Sequence, residues 1–140
     1  MIAYFDTSSV VPLLVEEPAS AMCGRLWDEA TRVVSARILY VEARAALAQA
    51  TRQDRLAAKG LVRAVRDLDR TVEQIDHVEV TAGFVREAGA IAERHGLRAY
   101  DSVHLTAALA IADDDTVFVV GDRDLANAAQ AMGLAVAQTS

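Results

Sequence analysis

Apolar and polar positions along the chain switch between two rhythms, and the switches mark the elements. Ile2–Phe5 is a short apolar run ending at Asp6 and predicts a buried strand. Ser8–Val15 predicts a helix capped by Thr7 or Ser8, with Pro12 near its first turn, and Glu16-Glu17-Pro18 ends it. Ala19–Arg32 predicts a second helix and Val33–Ala36 a second strand. Ile38, Val41, Ala45 and Ala48 recur at helical spacing and mark a third helix to Gln53. Leu61, Val62, Val65 and Leu68 mark a fourth. Gln74–Val80 alternates as a strand does. Phe84–His95 is helical and stopped by Gly96, and Tyr100–Ala112 is a helix apolar nearly all round, hence buried. Thr116–Val120 is a β-branched strand ended by Gly121-Asp122. Asp124–Met132 is the last helix and Leu134–Ala137 the last strand.

Strands alternating with helices, with no two-residue hairpin turn, predict an α/β fold: a central parallel sheet of about five strands with helices on both faces. No repeat, linker or low-complexity stretch interrupts the pattern, so one domain is expected over residues 1–140. A hydrophobic share of 53 % beside 24 % charged residues excludes disorder. Cys23 is the only cysteine, which excludes an intramolecular disulfide and a cysteine-based zinc site and suits a reducing compartment. Met1 runs directly into Ile2–Phe5 without a basic region, and runs such as Ala107–Ala112 fall far short of the roughly 20 residues of a membrane span. The expected location is the cytoplasm, with no membrane partner.

Fourteen Lys and Arg against twenty Asp and Glu leave a net charge of −6. That sign is wrong for a general nucleic-acid binder, whose affinity rests on neutralising phosphates. It makes sense if carboxylates gather in one place and hold cations. In open parallel sheets, ligands bind beyond the carboxyl ends of the strands. Asp6 and Asp122 lie there, although an Asp before a helix is also an ordinary N-cap. Glu42 shares the helical face of Ile38 and Ala45, where a carboxylate must be bound, be paired with an Arg, or reach water from a packed stem. Asp101 opens the most apolar helix, as a ligand or as a dipole cap, and His104 follows on the same face, as a ligand or as a hydrogen-bonded structural residue. Arg63, Arg66 and Arg70 form a ridge that reads as a solvated face balanced by Asp67 and Asp69. Four acids at Asp6, Glu42, Asp101 and Asp122 would make an all-oxygen pocket suited to Mg²⁺ or Mn²⁺. Two such cations activate water and clamp both oxygens of an in-line phosphodiester displacement.

The chain resembles PIN-domain proteins of the VapC type, the toxin half of a prokaryotic toxin–antitoxin pair. The resemblance lies in Tyr4-Phe5-Asp6-Thr7-Ser8, Glu16-Glu17-Pro18, Tyr40-Val41-Glu42, Leu97 to Leu105 (LRAYDSVHL) and Phe118 to Leu125 (FVVGDRDL), in order and over essentially the whole chain. It implies that Asp6, Glu42, Asp101 and Asp122 are the metal-binding and catalytic acids, with the usual hydroxyl on Thr7 or Ser8. The family often has Ser or Thr two residues before its last acid, where this chain has Val120, and that departure leaves Asp124 as an alternative or additional fourth acid. The resemblance further implies an Mg²⁺- or Mn²⁺-dependent endoribonuclease that acts on RNA, is usually a homodimer, and is held inactive by a cognate antitoxin. The antitoxin's C-terminal segment is expected to cover the acids and insert an Arg or Lys among them. Arg123 is a candidate for stabilising the leaving 3′ oxygen.

Other small α/β enzymes fit less well. A response-regulator receiver needs a lysine at a late strand end, and Lys59, the only lysine, is mid-chain. A haloacid-dehalogenase-type phosphatase needs a second Asp two residues after the first, where Ser8 stands. The alternative reading is a catalytically inactive PIN-like binding module.

Overall fold

The computed structural model describes residues 1–140. In chain order the elements are β1 (Ile2–Phe5), α1 (Thr7–Leu14), α2 (Ser20–Glu29), β2 (Arg32–Ala36), α3 (Leu39–Arg52), α4 (Ala58–Val72), β3 (Asp76–Val78), α5 (Ala82–His95), α6 (Ala99–Ile111), β4 (Thr116–Val120), α7 (Arg123–Ala131) and β5 (Ala135–Gln138). The five strands form one sheet in the order β3-β2-β1-β4-β5, and every pairing is parallel. Ile2 of β1 registers with Arg32 on one side and with Thr116 on the other. The chain therefore builds outward from β1 in one direction and then returns to add β4 and β5 on the other. The strand order reverses between β1 and β4, and at such a point the connections leave in opposite directions and open a crevice at the strands' carboxyl ends.

Alternation along the strands sorts the core into two layers, because successive side chains point to opposite faces. Tyr4, Val34, Phe118 and Val120 pack on one face with Ile91 of α5, Leu105 of α6 and Leu125 of α7. Ala3, Phe5, Val33 and Val119 pack on the other with Val10 of α1, Cys23 of α2 and Leu39 of α3. No helix is long and apolar enough to cross a membrane.

Several sequence expectations shift. The second helix stops at Glu29, because Arg32 already pairs in β2. The strand expected over Gln74–Val80 keeps only Asp76–Val78, the residues that find partners on β2. Pro12 sits beyond the first turn of α1, and the helix ends two residues later at Leu14. The largest shift is the rotation of α3. Its buried stripe is Leu39, Ala43, Leu47 and Ala50, while Val41 is 62 % exposed. Alanines at 43, 45, 46, 48 and 50 leave the apolar face of α3 without a sharp phase, so packing against the sheet chooses it. The face carrying Val41, Ala45 and Ala48 instead lines a groove of about 560 Å³ against Leu61, Val62 and Val65 of α4.

Candidate active site

Asp6 and Asp122 occupy the turns that leave β1 and β4, on either side of the reversal in strand order. Asp6 is 4 % exposed and lies at the N-terminus of α1, but its side chain caps no amide there. Its Oδ1 accepts from Ser8 Oγ at 2.7 Å, and the same Ser8 oxygen accepts the Gly121 N–H at 2.8 Å. Ser8 thus ties the turn carrying Asp6 to the turn carrying Asp122. A Cβ at position 121 would stand 3.0 Å from Ser8 Oγ and 3.3 Å from Ser8 Cβ, so glycine is needed for this approach. We expect Gly121→Ala to cost about 1–3 kcal/mol, because Ser8 cannot yield without releasing Asp6. Urea melts of the two proteins check this.

Asp101 lies in the first turn of α6, and Asp122 is the N-cap of α7, accepting from the Leu125 amide at 2.8 Å. Both acids meet one guanidinium. Arg98 Nε is 3.2 Å from Asp101 Oδ2, and its Nη2 is 3.7 Å from Asp122 Oδ2. A cleft of about 320 Å³ at this point is lined by Gly96, Leu97, Arg98, Asp101, Asp122 and Asp124. Asp124 is exposed at its edge, so both acids of the Asp122/Asp124 pair border the same space, and of the two only Asp122 engages Arg98.

Burial shapes the acidity of the cluster. The Asp6 carboxyl is pushed up to about 6, by burial first, against the lowering effect of His104 and of the Ser8 bond, and with a further upward push from Asp101. Asp101 is also raised by burial, which Arg98 opposes and Asp122 reinforces. In both groups the first cause is burial, which disfavours the charged form.

Glu42 is in the first turn of α3 and turns toward a second network. Its Oε1 accepts from Thr7 Oγ1 at 2.9 Å and from His104 Nε2 at 2.6 Å. His104 is 2 % exposed, and its Nδ1 lies 2.9 Å from the Tyr4 hydroxyl. A carboxylate only accepts, so Nε2 carries the proton that faces Glu42. The two hydroxyls after Asp6 therefore divide their work: Thr7 holds Glu42 and Ser8 holds Asp6. No group of three Asp, Glu, His or Cys side chains here stands in a ligating arrangement. Asp6, Asp101 and Asp122 share one region, and Glu42 joins it through Thr7 and His104.

Sequence reasoning weighed His104 as a structural residue and passed over Tyr4 and Arg98. Arg98 carried a legible signal, its i, i+3 spacing to Asp101 at a helix start. Tyr4 carried only its place in a strand.

Comparison with known proteins bears on this geometry. The PIN domain family model matches residues 3–131. Ribonuclease VapC45 and Ribonuclease VapC49 of Mycobacterium tuberculosis (strains CDC 1551 / Oshkosh and ATCC 25618 / H37Rv) are each 41 % identical to it over 136 residues, 97 % of this chain and 94 % of theirs. The fold is shared with the crystal structure of PAE2754 from Pyrobaculum aerophilum, with a TM-score of 0.68 and 20 % identity over 97 % of this chain and 83 % of that one. It is also shared with VapBC2 from Rickettsia felis bound to a DNA fragment from their promoter, with a TM-score of 0.62 and 14 % identity over all of both chains. A toxin-antitoxin complex from Klebsiella pneumoniae gives 0.63 and 13 %, over 99 % of this chain and 98 % of that one.

Proposed function

The chain belongs to the PIN domain family and to its VapC type, and from that premise we propose that it is the toxin ribonuclease of a toxin–antitoxin pair, a divalent-metal-dependent endoribonuclease acting in the cytoplasm. The observation that carries the metal dependence is the shared cation: Asp101 and Asp122, from different helices, already meet one guanidinium beside a buried Asp6 that resists ionisation. The donor set fits a hard ion. It is all oxygen, it comes from the crevice at the reversal in strand order, and it carries excess negative charge.

Asp6, Asp101 and Asp122 would hold Mg²⁺ or Mn²⁺, with Glu42 as the fourth acid and Asp124 bordering the cleft. A bound divalent ion supplies Lewis-acid activation of water and neutralises the scissile phosphate. The chain's own residues do the positioning. Ser8 aims the Asp6 carboxylate and joins its turn to that of Asp122. Thr7 and His104 orient Glu42. Arg123 opens α7 beside Asp122 and is exposed, a cation available to the leaving 3′ oxygen. With a net charge of −6, affinity for RNA comes from these local cations, which favours exposed single-stranded loops over duplex.

An antitoxin and a second copy of the chain complete the reading, with one domain over residues 1–140. The antitoxin's path is suggested by apolar continuity. The groove of Val41, Ala45 and Val62 adjoins a smaller cleft of Val41, Glu42, Ala45 and Tyr100, so one of the four acids lines its wall. A segment lying there reaches Glu42.

Purified protein freed of antitoxin is the material for the test. With Mn²⁺ it is expected to cut structured RNA into products with 5′-phosphate and 3′-hydroxyl ends. EDTA should stop the reaction, and Asp101→Asn should stop it with the fold intact. Cleavage that survives EDTA or Asp101→Asn would sink the metal-nuclease reading, and RNA binding without cleavage would establish the inactive binding module. Light scattering tests the homodimer.

A further inference from the structure

Arg98 is a cation in the wrong place for a residue with only a structural job. It is the N-cap residue of α6, and its side chain makes no capping hydrogen bond there. The side chain is 80 % exposed, yet it folds back over the first turn to lie 3.2 Å from Asp101 and 3.7 Å from Asp122. Each contact uses a different nitrogen of the same guanidinium. An arginine can span two carboxylates in this way because its donors sit in a rigid fork. The two acids it spans are among those assigned above to the divalent ion.

From this geometry we infer that Arg98 is a displaceable internal cation that competes with the divalent metal for Asp101 and Asp122 and, once displaced, contacts the RNA phosphate. The inference rests on the metal-dependent reading of the site. An ion pair this exposed is weak, and a divalent ion with twice the charge displaces it readily. The freed guanidinium stays tethered at the rim of the cleft that Asp101, Asp122 and Asp124 line. It is the one basic residue in the lining of that cleft, and its fork matches phosphate oxygens. One residue thus offsets acid–acid repulsion in the metal-free protein and supplies a substrate contact in the loaded one.

The two roles predict opposite changes in one variant. Arg98→Ala should bind Mn²⁺ about two- to fivefold more tightly than the wild type in calorimetric titrations without RNA, because the competitor is gone. At saturating Mn²⁺ the same variant should show KM for RNA raised about tenfold with kcat changed much less, because a binding contact is gone. A residue that merely supported the fold would weaken both. Unchanged or weaker Mn²⁺ affinity in Arg98→Ala overturns the competition, and an unchanged KM overturns the phosphate contact. A wild-type chain that binds no Mn²⁺ would instead refute the metal reading itself and this inference with it, so the two failures are told apart by the wild-type titration.

Discussion

Asp6→Asn is expected to stabilise the metal-free protein at neutral pH while removing its activity. The carboxyl of Asp6 is held at about 6 in the folded chain against an ordinary 3.8, chiefly by burial. An acid raised on folding makes the folded form bind more protons than the unfolded one between those two values. Its contribution to stability is therefore complete below about pH 4 and is lost as pH rises through about 6. Above that, the ionised and buried carboxylate costs up to about 3 kcal/mol relative to its protonated form, the free-energy equivalent of the shift. Asparagine keeps the shape and can still accept from Ser8 Oγ, but carries no charge to bury. The melting temperature of Asp6→Asn should exceed that of the wild type by about 5–10 °C at pH 8 in EDTA. The gap should close as pH falls from 6 to 4. Saturating Mn²⁺ should reverse the order, because binding to the folded state alone stabilises the protein that retains the ligand. RNA cleavage should fall by about 10²–10³-fold or more. A variant less stable than the wild type at pH 8 in EDTA would show that Asp6 is not a strained carboxylate.

His104→Ala should have the largest effect on folding. Its ring is buried and joins three chain-distant groups: the Tyr4 hydroxyl, Thr7 and Glu42. Truncation opens a cavity in the layer of Tyr4 and Leu105, leaves a buried phenol without its partner, and frees a carboxylate that is only 19 % exposed. Together these cost about 3–5 kcal/mol. The Tyr4 phenol cannot relieve the loss by ionising, since burial and Asp6 hold it well above its ordinary value. Denaturant melts of His104→Ala, Glu42→Gln and the double variant would measure the pair. A coupling of about 0.5–3 kcal/mol is expected for residues in one network. Strict additivity would mean that His104 packs in the core without orienting Glu42.

Much of this molecule is legible in its sequence because the governing forces are local. The β-branched run Thr116–Val120 and the helix closed by Gly96 follow from propensity and capping, whereas the Thr81 cap that opens that helix was not singled out. Asp6 and Asp122 could be placed at strand ends without any knowledge of strand order, because Asp6 directly follows β1 and only Gly121 separates Asp122 from β4. The rest was decided by tertiary structure. Alanine-rich α3 has no strong apolar face of its own, so only packing on the sheet set which way Val41 and Glu42 point. The order β3-β2-β1-β4-β5 brings Asp6 beside Asp122, which stand 116 positions apart in the chain. The partners of Glu42 are likewise non-local: Thr7 is 35 residues before it and His104 is 62 after it. Residue types and spacings can show that an acid is available, but a hydrogen bond of under 3 Å depends on the relative placement of whole helices. The same holds for the bridge of Arg98 to Asp122, which exists only because α6 and α7 start at the same end of the sheet.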